Sequence, residues 1–441
     1  MEVRPGYKQT EVGVIPEEWE VKRLADVGDI RSGGTPTTTE AHLWNGGVPW
    51  CTPTDITGLR GRKYLTATAR TISAAGLQFS AAEVIPPRSL IMTSRATIGE
   101  CAINVIPMTT NQGFKNIVPF SDVDVEFLYY KMTTQKVGLI ALCGGSTFLE
   151  IGKKQLRDYR VAVPKDQAEQ RAIAAALSDV DTLLGRLDRL IAKKRDLKQA
   201  AMQQLLTGQT RLPGFHAKNG FQRSSVGLIP EDWRCLGVPQ VVSGNSDSIK
   251  IGPFGSALKK EFLVATGYKV YGQENLYAKD MALGVRYISH SRFMELRACE
   301  IRPGDFLISM MGTVGKCLVA PEGIEAGIMD SHLLRLRLAP EVIDAAFLTH
   351  VFETPVILRQ VKQLSVGGIM EGLSSKIIRG IALPVPSVPE QAAIAVVLSD
   401  MDAELAALQA RRDKTRDLKQ AMMQELLTGK TRLVPAGATH V

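Results

Sequence analysis

Length, composition and charge set the outer limits on this chain. Its 441 residues, of which 45% are hydrophobic and 22% charged, exclude a disordered chain and predict two or three globular domains. The net charge of +8 lies mainly in residues 1–165 and 214–387, which each carry 19 basic and 16 acidic side chains; this fits a polyanionic partner without establishing one.

Each half of the chain opens with the same short motif. Residues 12–19 read VGVIPEEW and residues 226–233 read VGLIPEDW, at an offset of 214. The β-branched runs that follow are punctuated by glycine and proline, which predicts strands joined by turns, and apolar helical patterns come next. The strand patterns occupy residues 89–106 and 305–320, and the helical patterns occupy residues 124–142 and 343–364. We therefore expect a mixed α/β domain in each half.

A long amphipathic helix is predicted after each domain. Residues 169–212 match residues 390–433 at 27 of 44 positions, with a constant offset of 221 and no gap. Apolar residues recur every three or four positions for about 40 residues, which corresponds to roughly 60 Å of helix. Such a narrow stripe needs a partner, and the other copy is the best one available. A coiled coil between two chains and two unrelated surface helices are the alternatives.

The ends and the stripe of these helices can be assigned to residues. Asp166 precedes Glu169 by three positions, and Ser387 precedes Glu390 in the same way, which predicts a capping box at each start. Glycines predicted to end the helices in a left-handed conformation are Gly208 and Gly429. The predicted helix-pairing or subunit-interface residues are Ile173, Leu177, Leu184, Leu187, Ile191, Leu197, Leu205, Ile394, Leu398, Leu405, Leu408, Leu418 and Leu426.

Polar, glycine-rich loops begin at matching points of the two globular segments, at residues 31–56 and 249–263. Glycine lets backbone N–H groups approach phosphates, amide side chains can pair with adenine, and arginine can read guanine. Tight turns and ordinary surface side chains are the competing explanations. The candidate DNA-contacting residues are Gly33, Gly34, Thr35, Ser94, Arg95, Thr97, Asn111, Gln112, Gly144, Gly145, Ser146, Gly252, Gly255, Ser256, Lys259, Lys260, Gln273, Asn275, Met311, Thr313, His332, Gly367 and Gly368.

Catalytic motifs are absent from the sequence. It contains no GxxxxGK[ST] loop, no glycine-rich cofactor fingerprint, and no zinc-protease, serine-hydrolase or amino-methyltransferase motif. The six cysteines and six histidines are dispersed without a C-x-x-C pair, so neither a disulfide framework nor a metal site is predicted. We expect no catalytic residue and no cofactor in this chain. With no apolar run near the roughly 18 residues of a membrane span and no signal pattern, we also expect a cytoplasmic protein.

Together these motifs resemble the specificity subunit of type I restriction–modification enzymes. The resemblance is carried by the VGVIPEEW and VGLIPEDW motifs, the loops SGGTPT and GPFGSALKK, the stretch ATIGE…NQGF, and the helices EQRAIAAALSDVD…LLTGQTRL and EQAAIAVVLSDMD…LLTGKTRL. It extends over essentially the whole chain. One departure is the polar middle of the second helix at Arg411, Arg412 and Lys414, which suits a modification subunit better than the first helix.

The resemblance implies a mixed α/β fold. Two globular target-recognition domains would be held apart by two long antiparallel coiled-coil helices, in a pseudo-two-fold tandem repeat. The implied segments are target-recognition domain 1 at 1–165, a central spacer helix at 166–212, target-recognition domain 2 at 213–386, a C-terminal spacer helix at 387–433 and a tail at 434–441.

The resemblance also implies a function. The chain would read a bipartite, asymmetric target in double-stranded DNA and would scaffold two modification subunits together with restriction subunits. S-adenosylmethionine, ATP and Mg²⁺ are then expected on those partner subunits. Two other functions stay open on the residues alone: a fused nuclease or methyltransferase, and an assembly protein whose globular ends bind protein.

Overall fold

The computed structural model describes residues 4–143, 149–215, 220–311, 315–364 and 373–433. The chain divides into two compact units. Unit 1 consists of Met1–Asp188 and Ala410–Val441, and unit 2 of Arg189–Gln409. Each unit therefore contains one globular part and half of each long helix, a division that differs from the five segments expected from the sequence.

Unit 1 is a mixed α/β unit. Its strands are β1 (Tyr7–Thr10), β2 (Gly13–Pro16), β3 (Trp19–Arg23), β4 (Gly28–Ser32), β5 (Trp44–Cys51), β6 (Tyr64–Leu65), β7 (Arg70–Ile72), β8 (Leu90–Met92), β9 (Cys101–Asn104), β10 (Thr109–Thr110), β11 (Lys115–Pro119) and β12 (Arg160–Pro164). Its helices are α1 (Pro53–Gly58), α2 (Ala74–Gln78), α3 (Val125–Thr133), α4 (Lys136–Ala141) and α5 (Lys153–Asp158), followed by α6 (Gln167–Leu205), which continues into unit 2.

Unit 2 has the same mixed character. Its strands are β13 (Phe221–Ser224), β14 (Gly227–Pro230), β15 (Arg234–Gly237), β16 (Ile249–Ile251), β17 (Leu263–Val264), β18 (Tyr268–Tyr271), β19 (Tyr287–Ile288), β20 (Glu300–Ile301), β21 (Phe306–Ser309), β22 (Cys317–Val319), β23 (Gly327–Met329), β24 (Leu333–Leu336) and β25 (Ala382–Val385). Its helices are α7 (Gln273–Ala278), α8 (His290–Glu295), α9 (Ala345–Phe352), α10 (Pro355–Leu364) and α11 (Ser375–Arg379), followed by α12 (Val388–Leu426), which ends in unit 1.

The two units share a strand order. The antiparallel order β4-β11-β8-β9 of unit 1 recurs in unit 2 as β16-β24-β21-β22, and the parallel pair β5-β10 recurs as β18-β23. The opening hairpin β1-β2 recurs as β13-β14, and the pair β3-β12 recurs as β15-β25. The strands and helices predicted at 89–106, 305–320, 124–142 and 343–364 are confirmed. The units differ in the strands added at the sheet edges. In unit 1 β6 lies parallel to β9, and in unit 2 β20 lies antiparallel to β23, the counterpart of β10.

The two long helices begin and end close to the predicted residues. Their terminal glycines are confirmed in the left-handed conformation, with φ of +70° at Gly208 and +71° at Gly429. The predicted capping boxes are wrong. Asp166 accepts from the Ala168 amide at 2.8 Å, but Glu169 and its counterpart at the start of α12 turn inward to bind arginines instead.

In each unit an arginine ties the end of one long helix to the start of the other; we call this contact the helix joint. In unit 1 Arg432 forms two bonds with Glu169, one of 2.9 Å, and donates to Glu18 at 2.9 Å. The Trp19 indole N–H also donates to Glu169, at 3.2 Å. Glu169 is only 2% exposed, so its charge depends on these donors.

Unit 2 has the matching helix joint. Arg211 forms two bonds with Glu390, one of 2.7 Å, and donates to Asp232 at 3.0 and 2.9 Å. The arginine and both acids stand at the repeat positions of the unit 1 joint, at offsets of 221 and 214. Bidentate arginine–carboxylate geometry fixes the orientation of both helix ends. In agreement, the pKa of Asp232 is lowered by the Arg211 hydrogen bonds.

Within each unit the two helix halves run antiparallel. In unit 1 Lys419 pairs with Asp181 at 2.6 Å, and Arg412 lies 3.9 Å from Asp188. In unit 2 Lys194 pairs with Glu404 at 2.7 Å, and Lys198 with Asp402 at 2.6 Å. Residue numbers rise along one helix as they fall along the other, which confirms that each copy pairs with the other. Arg412, expected to face a modification subunit, instead points towards α6.

The predicted apolar stripe is confirmed in part. Near the helix ends it packs into the cores of the globular parts, and near the middle it is buried or half-buried between the helices. The buried positions are Ile173, Leu177, Leu187, Ile191, Leu205, Ile394, Leu398, Leu405 and Leu426, and the half-buried ones are Leu184 and Leu408. Leu197 and Leu418 are 46% and 55% exposed, so they do not pair the helices, and only the predicted role at a subunit interface stays open for them. Leu197 lies six residues after Ile191, off the three-and-four spacing of the stripe, which half-buried Lys194 and Lys198 continue.

The largest cores lie where the globular parts meet the helix halves. In unit 1 Trp19, Phe127 and Tyr130 pack with Ile173 and Leu426. In unit 2 the corresponding core also takes side chains from both long helices. Among the described residues, no helix is long and apolar enough to cross a membrane.

Candidate nucleic-acid interface

In unit 1 the loop after β4 lies against the turn that follows β10. The Gly34 amide donates at 2.9 Å to the carbonyl that ends β10, and the Thr35 hydroxyl hydrogen-bonds the side-chain oxygen of Gln112. A Cβ atom at Gly33 would lie 1.9 Å from the Asn111 carbonyl oxygen, so only glycine permits this approach. The loop and turn that the sequence singled out separately therefore form one surface.

The turn after β8 completes this surface. The Ser94 amide donates to the Gly113 carbonyl at 2.8 Å, and the Ser94 carbonyl accepts from the Ile151 amide at 2.9 Å. Ser94 is thereby buried and holds the turn in place, whereas the next residue, Arg95, is exposed and bonds Glu150 at 2.6 and 3.1 Å. The arginine is the group that reaches solvent here.

Positive charge is concentrated around Glu150. Desolvation lowers the pKa of the Lys115 ammonium; Glu150 opposes the shift, and Arg95 and Lys153 add to it. Lys115 itself is buried, whereas Arg95 and Lys153 are exposed, so these two are the cations open to anionic oxygens from outside. Thr97 is exposed at the far end of the same turn. We define Thr35, Arg95, Thr97, Asn111 and Gln112 as the polar surface of unit 1.

Unit 2 builds the equivalent surface with other side chains. A Cβ atom at Gly252 would lie 1.9 Å from the Asp330 carbonyl oxygen, the same close approach as in unit 1. The His332 amide donates to Asp330 Oδ1 at 2.9 Å, and the His332 carbonyl accepts from the Met310 amide at 2.9 Å. The His332 side chain is exposed.

The backbone hydrogen bonds set a residue-by-residue correspondence between the two surfaces. The equivalent pairs are Gly33 with Gly252, Asn111 with Asp330, Gly113 with His332, Ser94 with Met310, Arg95 with Met311, and Ile151 with Leu373. Gly99 likewise corresponds to Gly315, because each donates its amide to the carbonyl of the residue six positions earlier. One backbone arrangement thus presents different side chains in each unit.

Further groups of unit 2 approach this surface. The Tyr277 hydroxyl donates to the Met311 carbonyl at 2.8 Å and lies 3.3 Å from the Gln273 side-chain oxygen. Arg286 bonds Asp330 at 3.0 Å and the neighbouring Glu274 at 2.6 Å. We define Gln273, Tyr277, Arg286, Met311 and His332 as the polar surface of unit 2.

Some predicted residues have other roles. Asn275 is buried, and its amide group is used by the Gly272 N–H and by the carbonyls of Asp280 and Leu283, so it is not available to a base edge. Four further candidates are exposed and lie on either side of Ala257 and Leu258. Leu258 packs against the core that contains Val270 and Phe293, and Arg292 donates a hydrogen bond to the Ala257 carbonyl. These four are Gly255, Ser256, Lys259 and Lys260.

Six candidates lie outside the described residues. They are Gly144, Gly145, Ser146, Thr313, Gly367 and Gly368. The sequence also missed residues that lie at the surfaces or directly beneath them, namely Lys115, Glu150, Tyr277, Arg286 and Asp330. Only Lys115, three residues beyond a predicted pair of amides, carried any signal.

Both surfaces present groups that suit binding. They offer guanidinium, amide, imidazole and hydroxyl groups, which are the donors and acceptors of phosphate and base recognition. Burial raises the pKa of the thiols of Cys51, Cys101 and Cys299, which disfavours thiolate nucleophiles.

Comparison with protein families gives a match in two segments. Residues 16–193 and 251–415 match the model described as the type I restriction modification DNA specificity domain. Each segment begins in one globular part and ends in the long helix that follows it. The duplication seen in the strand order is therefore also a duplication of this domain.

Individual relatives agree with the family match. The MjaIX specificity subunit of Methanocaldococcus jannaschii is 37% identical over 180 residues, which cover 40% of this chain and 41% of that subunit. The MjaVIII specificity subunit of the same organism is 22% identical over 426 residues, covering 95% of this chain and 94% of that subunit. The EcoR124I/EcoR124II specificity subunit of Escherichia coli is 26% identical over 200 residues, or 44% of this chain and 46% of that subunit.

Solved structures share the fold. The S subunit of a type I restriction–modification system from M. genitalium superposes with a TM-score of 0.56 at 15% identity, covering 97% of this chain and 98% of that one. A second solved structure concerns complex assembly and conformational transition of the type I restriction–modification system. One of its chains gives a TM-score of 0.56 at 17% identity, covering 95% of this chain and 99% of that one.

Proposed function

This chain belongs to the type I restriction–modification DNA specificity family, and we propose that it reads the two halves of a bipartite, asymmetric target in double-stranded DNA. The proposal is carried by the repeated backbone arrangement that presents different side chains in units 1 and 2. Two surfaces of one design but different chemistry suit two half-sites of different sequence. As a specificity subunit, the chain is not itself the enzyme.

The two surfaces differ in what they offer to DNA. The polar surface of unit 1 combines the exposed Arg95 with the amide of Gln112, groups that contact phosphates, guanine and adenine. The polar surface of unit 2 has Met311 where unit 1 has the arginine and relies on His332 and Gln273. We expect direct base readout to depend more on charge in unit 1 than in unit 2.

The exposed leucines of the long helices support the proposed partners. Leu197 and Leu418 are equivalent in the repeat, and both lie open on the helix surface, one in each unit. An apolar side chain exposed at the same place twice suits two copies of one partner, and we assign it to two modification subunits. Restriction subunits would join that assembly. S-adenosylmethionine, ATP and Mg²⁺ would then belong to the partner subunits, and DNA as target would place the assembly in the cytoplasm.

Mapping of methylated adenines in host DNA, with the gene for this chain intact or deleted, tests DNA reading. We expect one bipartite motif to lose methylation on deletion and to return when the chain is restored. Binding of the assembled complex to that motif should weaken steeply with salt, because each phosphate contact releases a counterion. An unchanged methylation map would contradict the proposal and would favour an assembly protein whose globular parts bind protein.

Leu197→Glu and Leu418→Glu test the subunit assignment. Each variant is expected to reduce the number of bound modification subunits from two to one, as counted by native mass spectrometry. Leu358→Glu, at an exposed leucine of α10 outside the long helices, is the matched control and should leave two bound. Two bound subunits in both helix variants would show that the partner docks elsewhere.

A further inference from the structure

Three potential metal ligands meet in unit 2, away from the polar surface. His350 lies in the last turn of α9 and Glu353 three residues further on, which places both on one helical face. Asp402 of α12 faces them, and one ligand atom from each residue lies within 4.8 Å of the other two. The cluster joins the globular part of unit 2 to the half of α12 that it contains.

The imidazole of His350 lacks a hydrogen bond that its burial calls for. Its side chain is 6% exposed, and Nε2 lies 3.2 Å from the Ser399 hydroxyl. Nδ1 has no hydrogen-bond partner among the described residues and faces Asp402 Oδ2 at 3.9 Å. A buried ring nitrogen left in this way costs free energy unless a ligand satisfies it.

Unit 1 shows the same position without the ligands. The Tyr130 hydroxyl donates to Asp181 at 2.6 Å and lies 3.3 Å from Ser178, so every polar group there is satisfied. Five pairs of residues occupy equivalent positions in units 1 and 2. They are Tyr130 and His350, Thr133 and Glu353, Ser178 and Ser399, Asp181 and Asp402, and Lys419 and Lys198. Unit 2 thus keeps the aspartate, serine and lysine but has histidine and glutamate where unit 1 has tyrosine and threonine.

Lys198 marks the position as one that attracts a cation. Its ammonium lies 2.6 and 2.8 Å from the Asp402 oxygens and 3.3 Å from Glu353. Two carboxylates therefore share a single positive charge. A cavity of about 640 Å³ adjoins the cluster and is lined by Lys198, Glu353 and Asp402 among others, so the long lysine side chain has room to leave and an ion has a way in.

We propose that His350, Glu353 and Asp402 bind a divalent transition-metal ion, zinc in the first instance, which displaces the Lys198 ammonium. One imidazole nitrogen and two carboxylate oxygens are a set that zinc accepts, and a water would complete a tetrahedron. Ligand atoms ~2.1 Å from a tetrahedral zinc lie roughly 3.4 Å apart, so atoms that lie within 4.8 Å of one another need to approach by at most about 1.4 Å. Mg²⁺ and Ca²⁺ prefer oxygen ligands alone and are expected to bind poorly.

The electrostatics of His350 agree with this geometry. Burial, followed by the nearby Lys198 charge, lowers the pKa of the imidazole. The ring is therefore neutral near pH 7, which is the form that donates a lone pair to a metal. When bound, the ion would cross-link the end of α9 to α12 and stabilise the attachment of the globular part of unit 2.

Titration of the purified, chelator-treated full chain with Zn²⁺ tests the proposal. His350→Tyr and Glu353→Thr introduce the residues that unit 1 has, so each has a folded precedent in the same molecule. We expect the wild-type chain to bind one zinc through this cluster, and each variant to lose that binding by at least roughly 100-fold in Kd. Lys198→Met should tighten it by about tenfold, because no ammonium has to leave.

Two readouts separate this cluster from other metal-binding groups. Co²⁺ bound here should show d–d absorption without a thiolate charge-transfer band, since no cysteine takes part. Zinc, but not Mg²⁺, should raise the melting temperature of the wild-type chain and leave that of His350→Tyr unchanged. Equal zinc stoichiometry and affinity in the wild type and both variants would overturn the proposal, as would a cobalt spectrum dominated by thiolate bands.

Discussion

Units 1 and 2 are alike in their backbone and unlike in the side chains that the backbone presents. Both have the same strand order, the same helix joint and the same close approach of a glycine to the following turn. They differ at the polar surfaces and at the positions where α3 and α9 meet the long helices. The backbone hydrogen bonds that position a surface leave its outward side chains free to change.

Units 1 and 2 also differ at buried positions whose backbone is equivalent. Lys131 of unit 1 lies in the core and donates to the Leu427 carbonyl at 2.8 Å, whereas the equivalent residue of unit 2 is the apolar Val351. Tyr130 likewise corresponds to His350. Each replacement changes which polar groups at the helix surface are satisfied and which are not. The two units therefore act as internal controls for one another.

Removing the arginine of a helix joint has the largest expected effect. Arg211→Met leaves the carboxylate of the buried Glu390 without its arginine partner and should cost about 3–5 kcal/mol of unfolding free energy. Arg432→Met should cost less, because Trp19 still donates to Glu169, whereas Trp233 N–H has no partner among the described residues. Hydrogen exchange measured on peptides of each unit should show the greater loss of protection in unit 2. Equal losses would mean that the tryptophan contributes nothing.

Lys131 should give unit 1 an alkaline stability profile that unit 2 lacks. Burial lowers the pKa of Lys131 to about 8, while the unfolded side chain keeps its proton up to about 10.5. Between these values the unfolded chain binds more protons, so stability should rise with pH, by roughly 3 kcal/mol in all. Denaturant unfolding at pH 8–10.5 measures the rise. Lys131→Val, which introduces the unit 2 residue, should abolish it; persistence of the rise would assign it to another group.

At the polar surfaces, Arg95→Ala should change the reading of one half-site only. Loss of a guanidinium that contacts a base is expected to cost about 1–3 kcal/mol of discrimination, or roughly 5- to 150-fold. Met311→Ala, at the equivalent position of unit 2, is the matched variant and should leave the half-site read by unit 1 unaffected. Selection of bound sequences from a library, at one salt concentration, measures both. Relaxation of both half-sites by Arg95→Ala would contradict separate reading by the two units.

The sequence predicted the repeat well, because repetition and periodicity are local. The two long helices, their terminal glycines and the four patterned segments are confirmed. The capping boxes were wrong because Glu169 and Glu390 have arginine partners about 260 and 180 residues away, respectively, which local spacing does not reveal. Leu197 and Leu418 do not pair the helices because they stand off the three-and-four spacing of the buried stripe, which Lys194 and Lys198 continue in α6.

The candidate surfaces were harder to predict than the helices. The offset between the units is 214 at the opening motif but 219 for Asn111 and Asp330 and 216 for Arg95 and Met311. Insertions in the loops therefore hide the equivalence until hydrogen bonds reveal it. The metal ligands were missed for a related reason, since Asp402 lies 49 residues beyond Glu353 and is brought close only by helix packing.

The smallest expected effect is the acid sensitivity that His350 gives to unit 2. Because burial and the Lys198 charge lower the pKa of His350 below its ordinary value of 6.5, the unfolded imidazole takes up a proton at a higher pH than the folded one. Stability should therefore fall as the pH drops through 6.5 and level off below the folded pKa, with Asp402 and Glu353 limiting the fall by favouring the cation. His350→Tyr restores the unit 1 residue and should remove this component, so that chelator-treated wild type and variant diverge below pH 6.5 in denaturant unfolding. Parallel profiles would place the folded pKa of His350 at its unfolded value and the imidazole in contact with water.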